Sequence, residues 1–158
     1  MAIKSRRIGE QVDSNTLGRI RVQVPAGAGP VAQGDLLSVT GTNASGGFLQ
    51  VGIANADDPS TLRDGMKLVA AHDIADGATG IAVSWIIVAF DTSAAGKLGA
   101  VNTGDLLYLS ATGTSTNTLA AAASGAGGAY TKVVGQVLIG ASTSGKILLC
   151  PSMTSGLS

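Results

Sequence analysis

Val31-Ala32-Gln33-Gly34-Asp35-Leu36-Leu37-Ser38-Val39-Thr40 returns seventy residues later as Val101-Asn102-Thr103-Gly104-Asp105-Leu106-Leu107-Tyr108-Leu109-Ser110. Each copy is a Gly-Asp turn feeding a short apolar strand. Each is followed by a second apolar stretch containing Val-Gly, Phe48 to Ala54 in the first case and Tyr130 to Ile139 in the second. A supersecondary unit used twice predicts an all-β chain, a compact barrel or sandwich made of two related strand-turn-strand halves. Such a duplication explains a fold and says little about chemistry.

The composition agrees with strands and turns. Of 158 residues, 23 are Gly and only 13% are charged, and the one glutamate is Glu10. Exposed helices need Glu, Lys and Arg, whereas Ser, Thr, Val and Gly suit strands and tight turns. Arg19 to Val24 alternates strictly, with Ile20, Val22 and Val24 on one face and Arg19, Arg21 and Gln23 on the other, which predicts a half-buried strand. Asp57 to Gly65 predicts one helical turn with an aspartate cap and a proline at the first helical position. Ile81 to Phe90, apolar on both faces, predicts one strand covered on both sides, with Trp85, Ile87 and Phe90 placed to touch a second subunit or a partner surface. Thr112 to Gly128 is low-complexity Ser/Thr/Ala/Gly and predicts a mobile surface excursion. The organisation expected is an extended arm over 1–18, a β-barrel domain over 19–151 and a flexible tail over 152–158.

Ten basic residues balance ten acidic ones, which removes the electrostatic case for nucleic acid. The apolar run Ile81 to Phe90 is half of what a membrane-spanning helix needs, and the single Cys150 makes no disulfide framework. Neither a membrane nor a cofactor is expected. The arm is different: over residues 1–24, Lys4, Arg6, Arg7, Arg19 and Arg21 oppose only Glu10 and Asp13, five charges against two, net +3. Two readings stand for it, a solvated tail and a docking arm that orders on a partner.

Candidate chemistry is thin. Gly140-Ala141-Ser142-Thr143-Ser144-Gly145-Lys146 has phosphate-loop spacing, but Ile147 replaces the hydroxyl residue that holds magnesium, and no helix can follow before Pro151. A hairpin turn is expected instead. His72 with Asp73 is the only conceivable base and lacks further metal ligands, so no metal site and no enzyme activity are expected. Gly34, Asp35, Gly104 and Asp105 are expected to be structural, glycine supplying the unusual φ and aspartate capping turn amides.

The layout resembles the bacteriophage capsid cement (head decoration) proteins. The resemblance runs from Pro25-Ala26-Gly27 through Val31-x-x-Gly34-Asp35-Leu36-Leu37 to Val51-Gly52-Ile53-Ala54. It resumes at Ala100-Val101-x-x-Gly104-Asp105-Leu106-Leu107-Tyr108-Leu109, continues in Val134-Gly135-Gln136-Val137 and closes at Lys146-Ile147-Leu148-Leu149, covering residues 22–151. It implies a β-barrel on the outer capsid surface of the virion, made in the host cytoplasm, that binds the major capsid protein at capsomer junctions and stabilises the expanded head against DNA pressure. It also implies self-association as a homotrimer, with a dimer as the lesser option. No catalytic residue is carried over. A phage tail-fibre or carbohydrate-binding β module is the alternative.

Overall fold

The computed structural model describes residues 18–43, 46–58, 60–115 and 117–151. Among the described residues, ten strands and one helical turn follow in the order β1 (Arg19–Gln23), β2 (Leu36–Asn43), β3 (Phe48–Ile53), α1 (Thr61–Asp64), β4 (Lys67–Ala70), β5 (Thr79–Val83), β6 (Ile86–Phe90), β7 (Leu106–Thr114), β8 (Asn117–Ala120), β9 (Val133–Ile139) and β10 (Gly145–Leu149). The chain is all-β, as its composition predicts.

The strands form two five-stranded sheets wound in the same order. The first runs β3-β2-β4-β5-β1 and closes into a barrel through a parallel pairing of β1 with β3, Val22 opposite Leu49. The second runs β8-β7-β9-β10-β6 and stays open. Thus β1 to β5 and β6 to β10 are two copies of one five-strand plan.

The repeated phrase sits at the same place in both. In the first half, Asp35 Oδ2 accepts from Ala32 N at 2.9 Å, Gly34 N donates to Ala70 O at 2.9 Å, and Ala70 N donates to Asp35 O at 2.9 Å. In the second, Asp105 Oδ2 accepts from Asn102 N at 2.7 Å, Gly104 N donates to Val137 O at 2.8 Å, and Val137 N donates to Asp105 O at 2.9 Å. Gly34 and Gly104 take φ of 86° and 96°, a region that penalises any residue with a Cβ.

One equivalence suggested by sequence fails. Val51-Gly52 lies on β3, the hairpin partner of β2, whereas Val134-Gly135 lies on β9, which matches β4. The true counterpart of β3 is β8, inside the stretch expected to be a mobile excursion. There Thr118 and Leu119 are buried, and β8 pairs with β7 through Leu109 opposite Leu119. One large apolar side chain is enough to seat a strand that composition marks as loop. The following loop is also tied down: Ser124 Oγ donates to Asp57 Oδ1 at 2.5 Å and Arg63 Nη1 to Gly128 O at 2.9 Å.

Two further expectations need correcting. Ile81 to Phe90 is two strands, since β5 belongs to the barrel and β6 to the open sheet, with Ser84-Trp85 as the step between them. The helical turn begins after Ser60, whose carbonyl accepts from Arg63 N and Asp64 N and whose hydroxyl accepts from Leu62 N, so a serine and not an aspartate caps it.

Two apolar clusters hold the molecule together. Val22, Leu37, Val51, Leu68, Ala70 and Ala82 fill the barrel. Leu36, Val69 and Val83, on the opposite face of the same strands, pack with Leu107, Leu109, Leu119, Val134, Ile147 and Leu149 of the open sheet. Strand alternation therefore supplies both layers, one residue inward and the next toward the second sheet.

Candidate functional site

The two ends of the open sheet face each other across a groove of about 560 Å³. One wall is Ile87 to Asp91 of β6 and the turn after it, the other Asn117 to Leu119 of β8, and Ala95 to Leu98 form a rim. The floor is the first Gly-Asp turn, Gln33 to Asp35. That turn is bonded to the β8 wall: Thr118 Oγ1 accepts from Leu36 N at 3.1 Å, and Ser115 Oγ donates to Asp35 Oδ2 at 2.8 Å. On the other side, a Cβ on Gly34 would lie 3.7 Å from a Val88 methyl. One half thus lodges its turn in the mouth of the other. Asp35 is 2% exposed in consequence, whereas Asp105, its twin, is exposed.

The outer face of the open sheet carries a second feature. Register places Ile87, Leu148, Gln136 and Leu106 side by side across β6, β10, β9 and β7. Ile87 is 52% and Leu106 44% exposed, and Trp85, two residues before Ile87, is 49% exposed. Phe90 parts from this group. The β6 pattern turns Ile86, Val88 and Phe90 toward the core and Ile87 and Ala89 outward, so Phe90 packs on the inner cluster while Trp85 and Ile87 are exposed, Ile87 at the edge of the groove. Within the single chain β6 thus has one covered face and one bare face.

Of the basic residues singled out, Arg19 and Arg21 stand on the outer side of β1, opposite Val83 and Ile81 of β5, and belong to the barrel. Arg21 stacks 5.4 Å from the Phe48 ring centroid. Lys4, Arg6 and Arg7 lie outside the described residues.

His72 is held by backbone on both nitrogens. Nε2 accepts from Ile81 N at 3.1 Å, which places the proton on Nδ1, 2.7 Å from Asp73 O. The Asp73 carboxylate is turned elsewhere and accepts from Gln33 N at 2.8 Å. The pair read from sequence is therefore not an oriented His–Asp couple. Gly140 to Ser144 joins β9 to β10 as a hairpin loop, with Lys146 on the outward side of β10. Among the described residues no group of three or more His, Cys, Asp or Glu is placed to hold a metal ion, and no helix is long and apolar enough to cross a membrane.

Among the described residues, Lys67 is a nearly buried cation. It is 3% exposed, donates to Arg63 O and Gly65 O at 2.5 and 2.6 Å, and lies 4.8 Å from the Tyr130 ring centroid. Burial pushes its pKa down from 10.5 to about 8, against the opposing pull of Asp64. Its contacts tie α1 to β4 and to the Tyr130 loop, which is a structural role. Sequence reasoning missed both this lysine and the groove, because each depends on segments far apart in the chain.

No family model, no curated protein and no solved structure matches this chain.

Proposed function

We propose that the chain is a structural protein of a phage head, a cement protein that binds the major capsid protein from outside and stabilises the shell. The observation that carries this reading is the row of exposed apolar side chains on the open sheet, Trp85, Ile87 and Leu106, on a body with zero formal net charge. Large apolar side chains exposed on one face of a sheet, broken here only by Gln136, mark a macromolecular contact. The duplicated Gly-Asp units, with their likeness in sequence to the cement proteins, supply the class of partner. Arrangement as a homotrimer suits the task, since three weak contacts on one lattice gain strength through effective concentration.

The decisive test is quantitative mass spectrometry of purified particles. Near-stoichiometric copy number against the shell protein on DNA-filled heads is the expected result. A few copies per particle points to a tail or fibre, and absence overturns the proposal. Ile87→Asp, exposed and away from both clusters, is expected to leave stability within about 0.5 kcal/mol while weakening shell binding about tenfold or more. Undiminished decoration by that variant removes the apolar row from the interface.

A further inference from the structure

The bonds at the two Gly-Asp turns align the halves residue by residue. Leu106 takes the place of Leu36 after the turn, and Val137 takes that of Ala70 on the neighbouring strand. Register then carries the alignment across each sheet. In the first half one row runs Leu36, Val69, Val83 and Arg19 over β2, β4, β5 and β1. In the second the matching row runs Leu106, Gln136, Leu148 and Ile87 over β7, β9, β10 and β6. The first row is covered: Leu36, Val69 and Val83 are at most 7% exposed and pack with the open sheet. Its one exposed member, Arg19, is charged. The second row breaks this match between side chain and surroundings. Leu106 and Ile87 are 44% and 52% exposed, and Ile87 stands where the first copy carries Arg19. Ile139, 44% exposed and opposite Lys146, extends the same face.

We propose that the row Leu106, Gln136, Leu148 and Ile87 is a docking face of the same kind as its twin, and that it takes an apolar β-sheet face of the shell protein. The inference rests on the capsid reading and names the part of the partner that this reading leaves open. The first copy demonstrates the use of this face, since Leu36, Val69 and Val83 pack with Leu107, Leu109, Ile147 and Leu149 of a second sheet. A second copy of the chain has no such sheet to offer among the described residues, because its inner face is packed on its own barrel. Gln136, at the place of Val69, is the one polar member of the row. Its Nε2 donates to Gly104 O at 3.0 Å, so the amide is half satisfied on the chain's own turn. The rest of the amide loses water when an apolar sheet docks, a cost that keeps the contact reversible and the face soluble beforehand.

The experiment measures binding of the full chain to purified DNA-filled heads that lack it. Gln136→Val gives the row the composition of its covered twin at that place and is expected to tighten binding about tenfold. Leu106→Asp is expected to weaken it about tenfold or more. Unchanged or weaker binding by Gln136→Val means that the partner meets the amide with a polar group. Unchanged binding by Leu106→Asp means that the row is not the contact. Either result overturns the proposal. Sedimentation of the free protein tests the other occupant: Leu106→Asp is expected to leave its size as it is in the unaltered chain. An oligomer that falls apart in this variant puts a second copy on the row and overturns the proposal as well. Failure of the unaltered chain to bind heads removes the capsid reading together with this inference. Binding by the unaltered chain, with either variant out of order, removes the inference alone.

Discussion

In the first half of the molecule β1 and β3 meet, and Val22 stands opposite Leu49; in the second, β6 and β8 carry the same places in the same strand order and stay apart. The hairpins differ in length. β2 and β3 run eight and six residues, long enough for Asn43 Nδ2 to reach Gln23 Oε1 at 2.5 Å and for Phe48 to stack under Arg21. β8 is four residues. The space left beside it is entered by Gly34 and Asp35 of the other half, so closure of one copy and opening of the other come from what is packed at the mouth. A duplicated plan thus acquires one rigid copy and one that offers edges.

The largest expected difference lies in the cores. Leu37 and Leu107 are the same residue of the repeat, and both are fully buried. Leu37 fills the closed barrel, whose walls are joined all round and have little room to collapse. Leu107 belongs to the cluster that reaches the groove, where neighbours can shift toward free space. Leu37→Ala is expected to cost about 4 kcal/mol and Leu107→Ala about 3 kcal/mol, measured by denaturant unfolding. The reverse order would mean that the open half is the better packed of the two.

A second contrast is chemical. Beside Leu68 of β4 the first half buries Lys67, while beside Gly135 of β9 the second half buries Val134. Burial holds the Lys67 pKa near 8 when folded, against 10.5 for the free side chain. Between these values the unfolded chain binds the extra proton, so stability rises with pH from about 8 toward 10.5 and the gain is absent below about 8. Lys67→Met is expected to flatten that rise in the denaturation midpoint. A rise that persists in the variant assigns the titration to another group.

The aspartates of the two turns come next. Asp35→Ala takes the acceptor from Ala32 N–H and the Ser115 hydroxyl in a part-buried setting, at a cost of about 2 kcal/mol. Asp105→Ala leaves Asn102 N–H within reach of water, at a cost of about 1 kcal/mol. Equal losses would show that lodging in the second half adds nothing to the first turn.

These turns also mark how far the sequence could be read. Gly-Asp before a strand is a local signal, because the aspartate bonds an amide three residues back in both copies, and it predicts the geometry of Gly34-Asp35 and Gly104-Asp105 from neighbours alone. Pairing between distant strands is not local. Val-Gly recurs at Val51 and Val134 without structural equivalence, and nothing around Ser84-Trp85 announces a change of sheet, since neither Gly nor Pro stands there. Leu119, the one large apolar side chain in a stretch of small and polar residues, seats β8 together with Thr118. The groove follows from β6 and β8, which are separated by β7 and its loops and lie at opposite ends of one sheet. No pattern within either segment could reveal that they face each other.

The smallest expected difference is between the glycines, and it tests whether the two turns differ in backbone or only in surroundings. Gly34 and Gly104 share a positive φ, and a Cβ on Gly34 meets Val88 only at ordinary contact distance, while one on Gly104 meets nothing within 4 Å. The left-handed backbone penalty is then the same for both, so Gly34→Ala and Gly104→Ala are each expected to cost about 1–2 kcal/mol and to agree within about 0.5 kcal/mol. Asn, which tolerates that conformation, is expected to recover part of the loss at Gly104, which is solvent-exposed. If Gly34→Ala proves much the worse, the turn is pressed into the groove harder than a 3.7 Å approach implies, and the seat between β6 and β8 carries a larger share of the stability than its hydrogen bonds account for.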